Sequence, residues 1–242
     1  MANGPCMRWL PALVILVAVL AIAVAFLPMR AVTAVVPGLE AESASGTIWS
    51  GSLRGSSYRG LPVGDVDHRL RALPLLAGRA ELSFVRLGPE LRGDAVVGGG
   101  TIVLRNVEGI IEVPLLQNRI PSAPPLTLEV QGANLLLGEA DGCRAASGQV
   151  RAEVRGLPLL GDLPLTSGTI GCDGDAVAAR LTTPRRDTSL DLRGWTDGRW
   201  AADLGIEADD APRRAALALA GFRPVPGGMA YRVEGGGAAG AD

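Results

Sequence analysis

Hydrophobic and polar positions along this 242-residue chain fall into two regimes. From Leu10 to Leu27 the run LPALVILVAVLAIAVAFL holds no charged or strongly polar residue. At about 1.5 Å per residue it reaches roughly 27 Å as a helix, close to the depth of a hydrocarbon core. A lone apolar run satisfies its backbone groups in lipid only as a helix. Pro11 falls in the first turn, where a missing N–H costs little. Trp9 and Phe26 sit at the two ends, where membrane-interface rings are favoured. The pattern predicts one transmembrane helix over 10–28, after a cytoplasmic leader over 1–9. A cleaved secretory signal is the competing reading. Its apolar region normally spans about 7 to 15 residues before a small-x-small site, and Leu27-Pro28-Met29-Arg30 is bulky.

Beyond a connecting segment over 29–44, the dominant period is two. Val66-Asp67-His68-Arg69-Leu70-Arg71, Leu126-Thr127-Leu128-Glu129-Val130-Gln131 and Gln149-Val150-Arg151-Ala152-Glu153-Val154-Arg155 alternate between apolar and polar. So do the stretches 200–207 and 229–234. Such alternation defines half-buried strands with one apolar face and one wet face. Spacers of Gly, Asp and Pro suit antiparallel hairpins and meanders. One segment departs from this. Asp209-Asp210-Ala211-Pro212 leads into Arg213 to Ala220 and stops at Gly221, the pattern of a short capped helix. The chain thus reads as mostly β: a β-rich domain over 45–234 with an internal break near 120–126, at Ile120-Pro121-Ser122-Ala123-Pro124-Pro125, and a loose tail over 235–242.

Composition sharpens this picture in three places. All 23 basic residues are arginine, the net charge is −2, and the only adjacent basic pairs are Arg185-Arg186 and Arg213-Arg214, so no nucleic-acid footprint is present. Arg8 and the α-amino group precede the apolar run and Arg30 follows it, which with the large following domain orients the N-terminus to the cytoplasm. Cys143 and Cys172 then lie in an oxidising space, where an even pair reads as a disulfide, the alternative being two unrelated thiols. Cys6 falls on the other side.

Chemistry is sparse. The single His68 occupies an apolar-phase position of its strand, unsuited to a triad. Asp65/Asp67 and Asp173/Asp175 are i, i+2 pairs without the further carboxylates of a calcium loop. Gly98-Gly99-Gly100 runs into Thr101-Ile102-Val103-Leu104, a strand and not a lysine-bearing helix start, so no phosphate cradle forms. Ser50 lacks the nucleophile-elbow spacing. Neither a catalytic site, a cofactor nor a metal is expected.

The motif Ser45-Gly46-Thr47-Ile48-Trp49-Ser50-Gly51, shortly after an N-terminal apolar helix, resembles the opening of the type II secretion system protein N family. Gly194-Trp195-Thr196-Asp197-Gly198-Arg199-Trp200, the helix carrying Ala215, Leu217 and Leu219, and the closing Gly227-Gly228-Met229-Ala230-Tyr231-Arg232-Val233 are similar to its far end, and Cys143 and Cys172 to its paired cysteines. The resemblance implies a non-enzymatic, single-pass accessory protein of the bacterial inner membrane, its main domain periplasmic. Its partners would be other inner-membrane and periplasmic components of the secretion apparatus, with lipid around the helix. Short strands would then form an extended, curved antiparallel sheet rather than a thick globule. Trp49 is a candidate contact residue, with packing beside Leu53 the preferred reading. The alternative function is a lipid-handling groove on the apolar sheet face. A hydrolase ranks last.

Overall fold

The computed structural model describes residues 15, 16, 19, 22–36, 38–58, 61–113, 124–157 and 161–236. Much of the predicted transmembrane span lies outside them, although 22–25 are helical. Among the described residues no helix is long and apolar enough to cross a membrane.

The rest is one open antiparallel sheet. Its strands are β1 (Leu39–Glu40), β2 (Ser43–Gly46), β3 (Ser50–Tyr58), β4 (Leu61–Arg71), β5 (Ala80–Leu87), β6 (Leu91–Gly98), β7 (Thr101–Val113), β8 (Leu126–Gly138), β9 (Gly142–Leu157), β10 (Gly161–Asp173), β11 (Ala176–Thr182), β12 (Thr188–Gly194), β13 (Trp200–Ile206), β14 (Arg223–Val225) and β15 (Gly228–Gly235). From β3 to β13 each strand pairs with the next, so the body is a meander; β1 and β2 both pair with β3, and the order closes β13-β15-β14. Among the described residues beyond 29, three short helices accompany it: α1 (Arg30–Val35), α2 (Ala72–Leu75) and α3 (Ala211–Leu219). Most of the Pro-rich stretch near 120–126 lies outside the described residues; on either side of it Val113 stands opposite Leu126 across β7 and β8.

Alternation sorts the side chains onto two faces. Register aligns Leu91, Gly109, Val130, Val150, Gly168, Leu181, Leu190, Leu204 and Tyr231 across successive strands from β6 to β13 and on to β15. This face holds the core: Leu181 is 0% exposed, Leu190 2% and Val150 3%. On the other face Arg180, Asp191, Asp203 and Arg232 stand in register on four strands. Arg180 pairs with Asp191 at 2.6 Å and Arg232 with Asp203 at 3.7 Å. Such wet pairs set register more than they add stability.

At the C-terminal end α3 packs on β14 and β15. Leu217 is fully buried, and Phe222 lies 5.4 Å from Tyr231, ring to ring. The predicted cap is present: the Asp210 side chain accepts the Arg213 N–H at 2.5 Å, and proline occupies the first turn. Asp210→Ala is expected to cost about 1 kcal/mol, read as a lower urea midpoint of the full chain in mild detergent.

The strands differ from expectation in length. β7, β8 and β10 run 13 residues each and β9 runs 16, where short elements were expected. Register shifts between Leu104 and Val107, and between Gln131 and Asn134, put a bulge inside β7 and β8. A bulge flips the phase of alternation, so one long strand reads as two short ones.

Candidate functional site

The Ser45–Gly51 motif is the first hairpin of the sheet. Ser45 stands opposite Ser52 and Gly46 opposite Gly51, and the Ser45 and Ser52 hydroxyl oxygens are 2.7 Å apart. Gly46 turns the chain at φ +82°, and a Cβ there would lie 2.5 Å from the Ser50 carbonyl oxygen, so only glycine fits. The Thr47 N–H donates to the Ser50 carbonyl at 3.0 Å and closes the turn.

The turn holds the exit of the N-terminal segment on one side. Pro28 and Thr47 form an isolated antiparallel bridge. The Met29 N–H donates to the Gly46 carbonyl at 3.1 Å, and the Ile48 N–H to the Leu27 carbonyl at 3.0 Å. The Trp49 indole N–H reaches the Val24 carbonyl at 3.1 Å, in the last helical turn before the exit. Met29 is buried, 4% exposed. On the other side β4 holds the motif. The Leu70 N–H donates to the Trp49 carbonyl at 2.9 Å, and His68 Nε2 lies 3.2 Å from the Ile48 carbonyl, which makes that nitrogen the donor. Each such bond contributes on the order of 1 kcal/mol net, so together they fix the exit of the apolar segment to the sheet.

Trp49 is half-buried. It sits between the segment and the sheet, with its ring nitrogen committed to Val24. Trp49→Phe keeps ring bulk and deletes that donor. Amide exchange at Ile48 and Met29 should accelerate about 5-fold for roughly 1 kcal/mol lost, with the β8 to β13 amides unchanged. Equal acceleration across the sheet would contradict a local clamp.

The other residues singled out from sequence lie elsewhere. Below the hairpin a hollow of about 770 Å³ is lined by Ser45, Ser50, Arg54, Asp67 and His68 among others. Within it Arg54 pairs with Asp67 at 3.1 Å, and nearby Asp65 accepts the Gly55 N–H at 2.8 Å. Asp173 pairs with Arg193 at 3.0 Å, and Asp175 accepts the Trp195 indole N–H at 3.1 Å. Among the described residues no cluster of His, Cys, Asp or Glu could hold a metal ion. Gly98 to Gly100 form the β6–β7 turn, where the Thr101 hydroxyl donates to the Gly98 carbonyl at 2.8 Å.

Cys143 and Cys172 are joined in a disulfide, Cα to Cα 5.6 Å. The bridge ties β9 to β10, six strands along the sheet from the motif. At the far end, residues 194–200 form the β12–β13 turn. There Asp197 accepts the Arg199 N–H at 3.0 Å, and the Arg199 guanidinium lies 5.1 Å from the Trp195 ring centre. The Arg199 backbone and side-chain bonds hold the Asp197 carboxyl below the usual carboxylate range.

The sequence reading missed the acceptors of the junction, the Val24 and Leu27 carbonyls, and its donor His68. The available signal was the closeness of a tight-turn motif to the end of an apolar run. Backbone partners carry no side-chain signature.

The fold and this junction define a class: an open single-sheet β domain fastened by its first hairpin to the exit of an apolar N-terminal segment. Residues 37–232 match the family model of type II secretion system protein N, so the chain belongs to that family of accessory secretion components and takes part in type II secretion. No curated protein and no solved structure matches it.

Proposed function

We propose that this protein is a non-catalytic, single-pass inner-membrane component of the type II apparatus, with its N-terminus in the cytoplasm and its sheet in the periplasm. It acts there through protein–protein contacts with other inner-membrane and periplasmic components. The observation that carries this reading is the junction: residues 24–29, at the exit of the apolar run, are hydrogen-bonded to the motif that opens the sheet. A segment that merely targets export and is then discarded has no use for such a fixture. The Cys143–Cys172 bridge supports an oxidising compartment. The depth of burial at Leu181 and Leu190 supports a curved sheet, since a flat single layer leaves its apolar face wet.

Two measurements test it. Alkaline phosphatase fused after residue 236 should be active in cells, and a phosphatase silent there would reverse the orientation. Deleting the gene should trap a folded type II substrate in the periplasm, and the wild-type chain should release it; undiminished export would remove the role.

The second reading, an acyl-chain groove, is favoured by one observation. Most of the buried core residues lie on β8 and beyond, whereas on β5 to β7 Phe84, Leu91 and Leu104 stay half-buried around Val107. Lipid recovered with the protein after detergent-free extraction would support it, and its loss on Phe84→Asp would locate it.

A further inference from the structure

The loop from Arg71 to Arg79 joins β4 to β5 and contains α2. None of the residues of α2 is buried; Leu73 is 80% exposed, Leu75 37% and the following Leu76 88%. Single exposed leucines are ordinary on a soluble surface, but three within four positions at one loop tip are a patch. The C-terminal half of the turn also pairs its own amides. The N–H groups of Leu76, Ala77, Gly78 and Arg79 donate to the Leu73, Pro74, Leu75 and Pro74 carbonyls at 3.0–3.2 Å. Those four amides enter an apolar medium without being stranded.

Its position decides what it meets. Loops of an antiparallel meander alternate between the two ends of the sheet, so the β4–β5 loop shares an end with the β2–β3 turn. The link is direct: Leu70 donates to Trp49, and α2 begins two residues later. The same hairpin receives residues 24–29, so α2 lies at the end of the sheet from which the apolar segment departs. Exposed Arg30, Arg69, Arg71 and Arg79 surround this end, and Glu81 answers Arg71. The local excess of arginine matches an anionic headgroup layer.

We propose that the α2 loop is a second membrane contact, in which Leu73 and Leu76 enter the boundary between headgroups and acyl chains of an anionic bilayer, with the flanking arginines on the phosphates. This rests on the apolar segment being membrane-embedded. Two points of attachment on neighbouring strands would fix the tilt of the sheet against the bilayer and stop it swinging on a single tether.

The test uses the full chain carrying Cys6→Ser, reconstituted in vesicles of phosphatidylcholine and phosphatidylglycerol. A polarity-sensitive fluorophore is attached through Leu76→Cys, and in sister samples through Val19→Cys or Arg185→Cys, with nitroxide-labelled lipids as quencher. Arg185 is exposed in the β11–β12 loop at the opposite end of the sheet. Quenching is expected at 76 and 19 and not at 185, and Leu73→Ser should lower quenching at 76 toward the level at 185. Quenching at 19 without quenching at 76 overturns the α2 contact and leaves the anchor standing. Quenching at 76 without quenching at 19 supports the contact and refutes the anchor. Shielding at 76 that appears only in native membranes holding the rest of the apparatus would assign the leucines to a protein partner and overturn the lipid contact.

Discussion

Leu190→Ala is expected to lower the unfolding free energy of the sheet by about 3 to 5 kcal/mol, the range for emptying a leucine-sized site that cannot collapse. Leu190 is 2% exposed on β12, flanked in register by Leu181 on β11 and Leu204 on β13, themselves 0% and 4% exposed. The backbone on both sides is hydrogen-bonded into the ladder, so neighbours cannot close over the void. One strand beyond Leu181 the row reaches Gly168, where a Cβ would stand 1.9 Å from the Arg180 carbonyl oxygen. That close approach lets β11 lie tight on β10, and Gly168→Ala should damage the same packing by pushing the strands apart. Leu219→Ala is the control, because Leu219 on α3 is 81% exposed and should change stability by less than about 0.5 kcal/mol. Urea denaturation of the full chains in mild detergent separates these cases. Equal midpoints for the Leu190 and Leu219 variants would contradict the assignment of the core to this row.

The fold was legible wherever alternation ran unbroken. Residues 149–155, 200–206 and 229–234 are in β9, β13 and β15, and α3 begins one residue after its Asp210 cap. Legibility failed at bulges. In β7 the backbone at Asn106 takes φ 50°, and Arg105 and Asn106 interrupt an otherwise apolar-phase strand, so 101–113 does not read as one element. Two small helices were also missed, α1 and α2; α2 has neither a side-chain cap nor a buried residue to announce it. The burial of Met29 was equally invisible, since it depends on a hairpin fifteen to twenty residues ahead.

The site was legible as a motif but not as a mechanism. Ser45-Gly46-Thr47-Ile48-Trp49-Ser50-Gly51 carried the family resemblance, while its physical task became visible only with the partners of its backbone in view. Glycine at 46 makes the turn, Thr47 and Ile48 face residues 27 and 28, and Trp49 extends the contact to Val24. His68 illustrates the limit. Its apolar phase in the strand gave no hint that it would donate to the Ile48 carbonyl.

Reducing the Cys143–Cys172 bridge, or replacing both residues by serine, is expected to cost about 3 to 4 kcal/mol, from a sequence separation of 29 residues in the chain-entropy model. For a domain of this size that corresponds to a melting point lower by on the order of 10 °C. The bridge acts where the ladder is irregular. At the start of β9 the register with β8 shifts between Leu136 and Leu137, and Cys143 donates its N–H to the Asp175 carbonyl, past the last residue of β10, at 2.8 Å. Cys143 is 7% exposed and Cys172 is exposed, and the cross-link between them pins two neighbouring turns at one end of the sheet. Without it, the turn at 139–141 and the turn at 174–175 depend on that amide, on the Glu139 N–H donated to the Gly100 carbonyl at 2.9 Å, and on exposed side-chain contacts such as the 2.6 Å pair of Arg144 with Asp141. Cys6→Ser should leave the melting point unchanged, because Cys6 takes no part in the bridge. The double-serine chain, made in cells, should accumulate poorly and be cleaved first near 139–145, where the unpinned β8–β9 turn opens. Calorimetry of the full chain with and without reductant gives the size of the effect, and equal melting points would mean that the sheet alone holds those turns.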